Sequence, residues 1–229
     1  MTFDLLERGA AALGDLVGEL AFVGGATIVL WITDPGAPTP RPTKDVDVVI
    51  DVTTPNAFHD FQARLRDRGF HEDVDSGVIC RWRYADEDLI LDAMPAAGEL
   101  LGFENPWQIA AMPHAARRTL PSGAEIRAIT PPYLIATKLA AFAGRGHGDH
   151  LGSRDLEDII SLIDGRQEVV AEISAAEDDV RGFVASEMAV LLNQPRFIDT
   201  IFGFLRADLA SQSRAETVVL PRLRAIASG

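Results

Sequence analysis

Asp45 and Asp47 stand two residues apart in 43-TKDVDVVID-51. Side chains alternate across a strand, so Val46, Val48 and Ile50 share one face, and Asp45, Asp47, Val49 and Asp51 share the other. Neighbouring carboxylates repel each other unless water or a cation lies between them. The pair is therefore either the solvated end of a half-exposed strand or two oxygen ligands for a divalent ion. D-x-D is short and common, and alone it does not choose.

Asp92 bears on the choice. It lies in 89-LILDAM-94, a strand that is apolar on both faces, where an unpaired carboxylate is costly. One reading pairs it with a nearby arginine, Arg81 or Arg83. The other places it beside 46–51 as the third carboxylate of an oxygen cage for Mg²⁺, an ion suited to phosphate transfer.

Two further features fit phosphate chemistry without requiring it. Gly24 and Gly25, in 20-LAFVGGATIVL-30, sit between a strand and a helical turn, where backbone can approach a phosphate or simply turn tightly. Lys138, in 131-PPYLIATKLAAFAGRG-146, falls on the apolar stripe with Leu134 and Phe142. It is either a lysine snorkelling at a core rim or one directed into a cleft to hold a phosphate. Asp155 and Asp158, in 153-SRDLEDIISLIDGR-166, share a helix face, and an ion pair from Lys138 to one of them would account for both oddities. The segment 145-RGHGDH-150 could ligate metal, but its glycines read as a mobile loop. Cys80 reads as a packed thiol, and no Ser/His spacing suggests a nucleophilic triad.

These residues need elements to hold them. The pattern predicts a helix over 3–19, a strand at 20–23, a buried helix over 26–32 and a proline-rich surface loop over 34–42. A strand at 46–51 and a capped helix over 53–70 follow. Runs 78–84 and 89–94 flank the turn 85-ADED-88 as a hairpin, and a second short hairpin around 121-PSG-123 ends in the strand 125–129. Beyond Thr130 only helical periods recur, through 131–144, 153–164, 177–193 and 195–209. The expected fold is α/β (α+β): a mixed sheet with flanking helices over 1–129, and an all-helical part over 130–229 packed on it.

The totals limit the partners. A chain of 229 residues with 47% hydrophobic residues buries a sizeable core. A single cysteine, an acidic N-terminal stretch and no long apolar run lead us to expect a cytoplasmic protein with no membrane partner. The net charge of −13 opposes nucleic acid unless basic residues gather in one place, with Arg64, Arg66, Arg68, Arg117 and Arg118 the candidates. The same charge suits cationic small molecules.

Taken together, 22-FVGGATIVLW-31, 41-RPTKDVDVVI-50 and Asp92 on a later strand resemble the nucleotidyltransferase fold of the polymerase-beta superfamily. The stretches 137-TKLAAF-142 and 154-RDLEDI-159 look more specifically like the abortive-infection nucleotidyltransferase toxins of the type IV toxin–antitoxin class. The resemblance spans roughly 20–165 and implies transfer of NMP from an NTP to an acceptor hydroxyl. By it, Asp45, Asp47 and Asp92 hold Mg²⁺ (or Mn²⁺), with Asp92 alternatively the base. Gly24, Gly25, Thr43, Lys44 and Lys138 contact the nucleotide, and Asp155 or Asp158 orients the lysine or the acceptor. The implied acceptor is an RNA end, tRNA included, or a protein, with a cognate antitoxin as possible partner. Aminoglycoside-modifying members look similar around 24–47, which makes a small cation the alternative acceptor. A catalytically silent module that binds nucleotide or a partner protein is the third reading. Two departures stand out: Gly25 replaces the serine of many members, and the loop 34–42 stretches the spacing between turn and D-x-D, either as a plain surface insertion, the preferred reading, or as a cover over the nucleotide with Arg41 and Lys44 reaching the phosphates.

Overall fold

The computed structural model describes residues 3–84, 88–102, 105–145 and 149–229. The chain is mixed α/β with a helical C-terminal part, and it divides into two compact units. Met1–Val29 with Arg41–Thr130 forms the first, and Leu30–Pro40 with Pro131–Gly229 forms the second.

The first unit is built on a sheet. Helix α1 (Asp4–Leu13) leads through a 3₁₀ segment into β1 (Leu20–Val23), and a second 3₁₀ segment, Gly25–Leu30, follows the Gly-Gly turn. The unit resumes with β2 (Asp45–Ile50), α2 (Pro55–Asp67), β3 (Phe70–Glu72), β4 (Arg81–Tyr84), β5 (Ile90–Pro95), α3 (Pro106–Ala111), β6 (Ala116–Thr119) and β7 (Glu125–Ala128). The strand order is β3-β4-β5-β2-β1-β7-β6. β2 runs parallel to β5 and antiparallel to β1, so the aspartate strand is central, while β4 pairs antiparallel with β5.

Burial follows the alternation over the first half of β2, after which Val49, on the aspartate face, is buried as well. Val46, Val48 and Ile50 are fully buried, whereas Asp45 and Asp47 are half-buried. α1 covers the valine face closely, since a Cβ on Gly9 would lie 3.1 Å from Val46 Cγ2. Helix α2 starts at Thr54, whose hydroxyl accepts the Ala57 N–H, with Pro55 in the first turn. It buries Phe58, Phe61 and Leu65, each worth about 1.5–3 kcal/mol when taken out of water.

The second unit contains α4 (Pro131–Arg145), α5 (Arg154–Gly165), α6 (Val169–Ser174), α7 (Asp178–Leu192), α8 (Pro195–Phe204) and α9 (Leu209–Arg214). A π-helical turn, Ala215–Val219, then leads into α10 (Leu220–Ala227). Ser153 caps α5 by accepting the Leu156 N–H. The i, i+3, i+4 stripe of α5 buries Leu156, Ile159, Ile160 and Ile163.

Local boundaries differ from the sequence reading. The first helix becomes 3₁₀ at Gly14, the expected helix over 26–32 is a 3₁₀ segment that ends at Leu30, Phe70 opens a strand and does not close a helix, and the period 195–209 breaks after Phe204. The proline-rich loop is held more firmly than a plain surface insertion. The Thr33 and Asp34 N–H groups both donate to Gly165 O at 2.9 Å, and Arg214 Nη2 donates to Asp34 Oδ2 at 2.8 Å. Residues 85–87 of the expected turn lie outside the described residues. Among the described residues no helix is long and apolar enough to cross a membrane.

Candidate functional site

The aspartates of the first unit come together because the sheet register aligns them. Asp47 on β2 and Asp92 on β5 are direct partners of the parallel pair, and Val23 opposes Asp47 on the other side. In-register parallel partners point to the same face, so Asp45, Asp47 and Asp92 share the face opposite α1. Val23 is the last residue of β1, which brings the Asp47 carboxylate against the turn that follows. A Cβ on Gly24 would lie 2.6 Å from Asp47 Cγ and 2.9 Å from its Cβ. Gly24 has φ +76°, and its carbonyl accepts both the Thr27 N–H and the Thr27 hydroxyl. The glycine is thus fixed by its left-handed backbone and by the carboxylate lying over it. Gly25 begins the 3₁₀ segment, Thr43 is half-buried ahead of β2, and Lys44 is exposed.

A cation does stand among these carboxylates, and it is Arg81. β4 and β5 place Arg81 directly across from Asp92. Its Nε and Nη2 donate to the two Asp92 oxygens at 2.8 and 2.7 Å, and Nη2 also donates to Asp45 Oδ2 at 2.9 Å. Asp92 is only 8% exposed, so the fork supplies the partner that burial demands. Of the two arginine candidates Arg81 is the partner, because Arg83 turns to Asp73 at 2.7 Å. The Asp92 hydrogen bond and the charges of Asp92, Asp45 and Asp47 hold the Arg81 guanidinium above even its ordinary range, against the effect of burial. Cys80, one residue back, is pushed up to about 12, first by burial and then by the negative charge of Asp92 and Asp47. It is a packed thiol in the turn just ahead of β4, whereas the sequence pattern starts the strand at 78.

The donor set, carboxylate oxygens only, suits a hard divalent cation. The expected three-carboxylate cage is not ready-made. Among the described residues no group of three His, Cys, Asp or Glu side chains is arranged to hold a metal ion. Arg81 takes both oxygens of Asp92 and one of Asp45, so an ion at this face would have to be held chiefly by Asp45 and Asp47.

The remaining site candidates lie in the second unit. Lys138 is 7% exposed, and its Nζ lies 2.6 Å from Asp158 Oδ2 and 3.5 Å from Asp155 Oδ1. Asp158 is 1% exposed. The lysine on the apolar stripe of α4 and the deep aspartate of α5 therefore compensate each other as one buried charge cluster. His150 stacks obliquely against Phe142 and Phe197, an aromatic packing role; residues 146–148 of that segment lie outside the described residues. A second cluster went unseen in the sequence. Arg214 Nε donates to Asp164 Oδ1 at 2.8 Å and Nη2 to Asp34, and Arg222 Nη1 donates to the Asp164 carbonyl at 2.9 Å. Burial pushes the Asp164 carboxyl up, while Arg214 and the Gly36 N–H draw Asp34 down.

The arginines named as candidates for a basic patch are largely matched with acids. Arg64 is paired with Glu19, Arg66 with Glu72 and Arg68 with Asp15, and Arg117 lies 3.8 Å from Glu125. Neither a scan against protein-family models nor a search of curated proteins returns a match to this chain.

Proposed function

We propose that this chain is a Mg²⁺-dependent nucleotidyltransferase that moves NMP from an NTP to an acceptor hydroxyl. The observation that carries the reading is the register match of Asp47 with Asp92, with the Asp47 carboxylate lying against Gly24. Acidic ligands and a backbone that tolerates close approach thus meet at one end of a central strand. Asp45 and Asp47 would hold the ion. When bound, it would neutralise phosphate charge and favour in-line attack on the α-phosphate with pyrophosphate leaving. Gly24 leaves room for the Asp47 carboxylate that lies over it, and Arg81 pairs with Asp92 in its buried position.

The toxin-like acceptors, an RNA end or a protein, remain the leading choice from the resemblance. One observation favours the small-cation alternative: the arginines that would have drawn RNA are already matched with acids. The test is incubation with each α-labelled NTP and Mg²⁺, in the presence of total RNA, of the protein itself, or of a panel of aminocyclitols. Label on RNA or protein that vanishes in Asp47→Asn supports the toxin-like enzyme, and label on an aminocyclitol moves the acceptor to the alternative. NTP binding with no transfer to any acceptor overturns the enzymatic reading in favour of a silent nucleotide-binding module.

A further inference from the structure

We propose that Arg81 is an internal counter-cation that competes with the divalent ion for Asp45 and withholds Asp92 from it, and so keeps ion affinity low. The inference rests on the ion-binding reading above and adds a residue that the resemblance does not supply. Arg81 is bound from two sides, since one guanidinium face engages both Asp92 oxygens and Nη2 also reaches Asp45 Oδ2. Its side chain is 20% exposed, against 31% for Asp45 and 11% for Asp92, so these contacts are only partly screened. A guanidinium does not lose its proton to make room, and only movement can release the carboxylates. A divalent ion placed between Asp45 and Asp47 meets that fixed positive charge at close range, and the repulsion grows as water is excluded. Full use of Asp45 by the ion requires its bond to Arg81 to break. The fork to Asp92 persists, because β4 and β5 hold the two residues in direct cross-strand register.

The experiment is calorimetric titration of Mg²⁺ and Mn²⁺ into the full chain as wild type, Arg81→Gln, Arg81→Lys and Asp47→Asn, with circular dichroism to verify folding. Arg81→Gln is expected to bind Mn²⁺ at least tenfold more tightly than wild type. It is also expected to melt at a lower temperature without the ion and to regain more of that loss when the ion is added. Arg81→Lys, which keeps the charge but lacks the planar fork that engages Asp92 with two nitrogens, is expected between the two, and it decides the matter if Arg81→Gln does not fold. Equal or weaker binding in folded Arg81 variants, with Asp47→Asn still abolishing binding, overturns the competition and makes Arg81 an aid to the site. Absence of binding in wild type and in the folded Arg81 variants alike overturns the ion-binding reading itself.

Discussion

The Asp47 carboxylate lies across the α-carbon of Gly24, and the two are brought together by the pairing of Val23 with Asp47 on adjacent strands. Gly24→Ala therefore meets two penalties: a left-handed backbone at φ +76° and a methyl group driven into Asp47. Backbone strain alone costs on the order of 1–3 kcal/mol, and the steric conflict adds to it. The expected result in urea denaturation is a loss of at least that size, together with loss of any Asp47-dependent transferase activity. Gly182, inside α7 with open space around a built Cβ, is the control. Gly182→Ala is expected to raise stability by up to about 1 kcal/mol.

Lys138 and Asp158 form the most deeply buried charge pair of the helical unit among the ion pairs described above. Lys138→Met strands Asp158 without its ammonium, and breaking a buried pair by removing one partner costs roughly 3–5 kcal/mol. Asp158→Asn is expected to cost less, because Asp155 still faces the lysine at 3.5 Å. The double change Lys138→Met with Asp158→Leu is expected to regain part of the loss, since an apolar pair replaces the stranded charge of Asp158, while Asp155 still loses the ammonium that faced it at 3.5 Å. Chemical denaturation of the three variants measures this, and a Lys138→Met variant as stable as wild type would refute the assignment.

The contacts of the first and second units differ in how far the sequence could reveal them. The face shared by Asp45 and Asp47 follows from period-2 alternation, and the meeting of Lys138 with Asp158 follows from helical phase on two neighbouring helices; both are local patterns. The double grip of Arg81 depends on the register between β4 and β5. A hairpin register is set by its turn, and 85-ADED-88 carries no two-residue signature that would fix it. Arg81 and Arg83 share a face, so composition could name two candidates for Asp92 and could not foresee the bond to Asp45. The anchoring of the proline-rich loop was less legible still, because Arg214 lies 180 residues from Asp34. Nothing in a helical period says which distant acid its arginine will find.

Cys80 offers a chemical readout of the acidic surroundings in the first unit. With the thiol pushed up to about 12 from an ordinary 9.0, its thiolate fraction at pH 8 falls about 1,000-fold. Iodoacetamide labelling of the folded protein at pH 8, followed by mass spectrometry, is expected to be at least 100-fold slower than labelling in urea. Between pH 9 and 12 the unfolded thiol gives up its proton while the folded one keeps it. Folding stability from this group is therefore lost as pH rises through that window, and Cys80→Ala is expected to flatten the alkaline limb.

Asp34 and Asp164 share Arg214 yet are shifted in opposite directions, so their variants are expected to tilt the acid limb of the stability profile oppositely. Asp34 is drawn below its ordinary 3.8 by the Arg214 hydrogen bond and the Gly36 N–H. Its contribution is complete above that value and disappears as pH falls through the folded one. Asp164 is pushed up by burial despite Arg214. The folded state then binds its proton more readily than the unfolded state, and its contribution is complete at low pH and lost as pH rises toward the raised value. Urea titrations from pH 3 to 7 are expected to find that the gap between wild type and Asp34→Asn widens with rising pH. The gap for Asp164→Asn is expected to move the other way. Parallel profiles for the two variants would mean that Arg214 does not hold both carboxylates in solution.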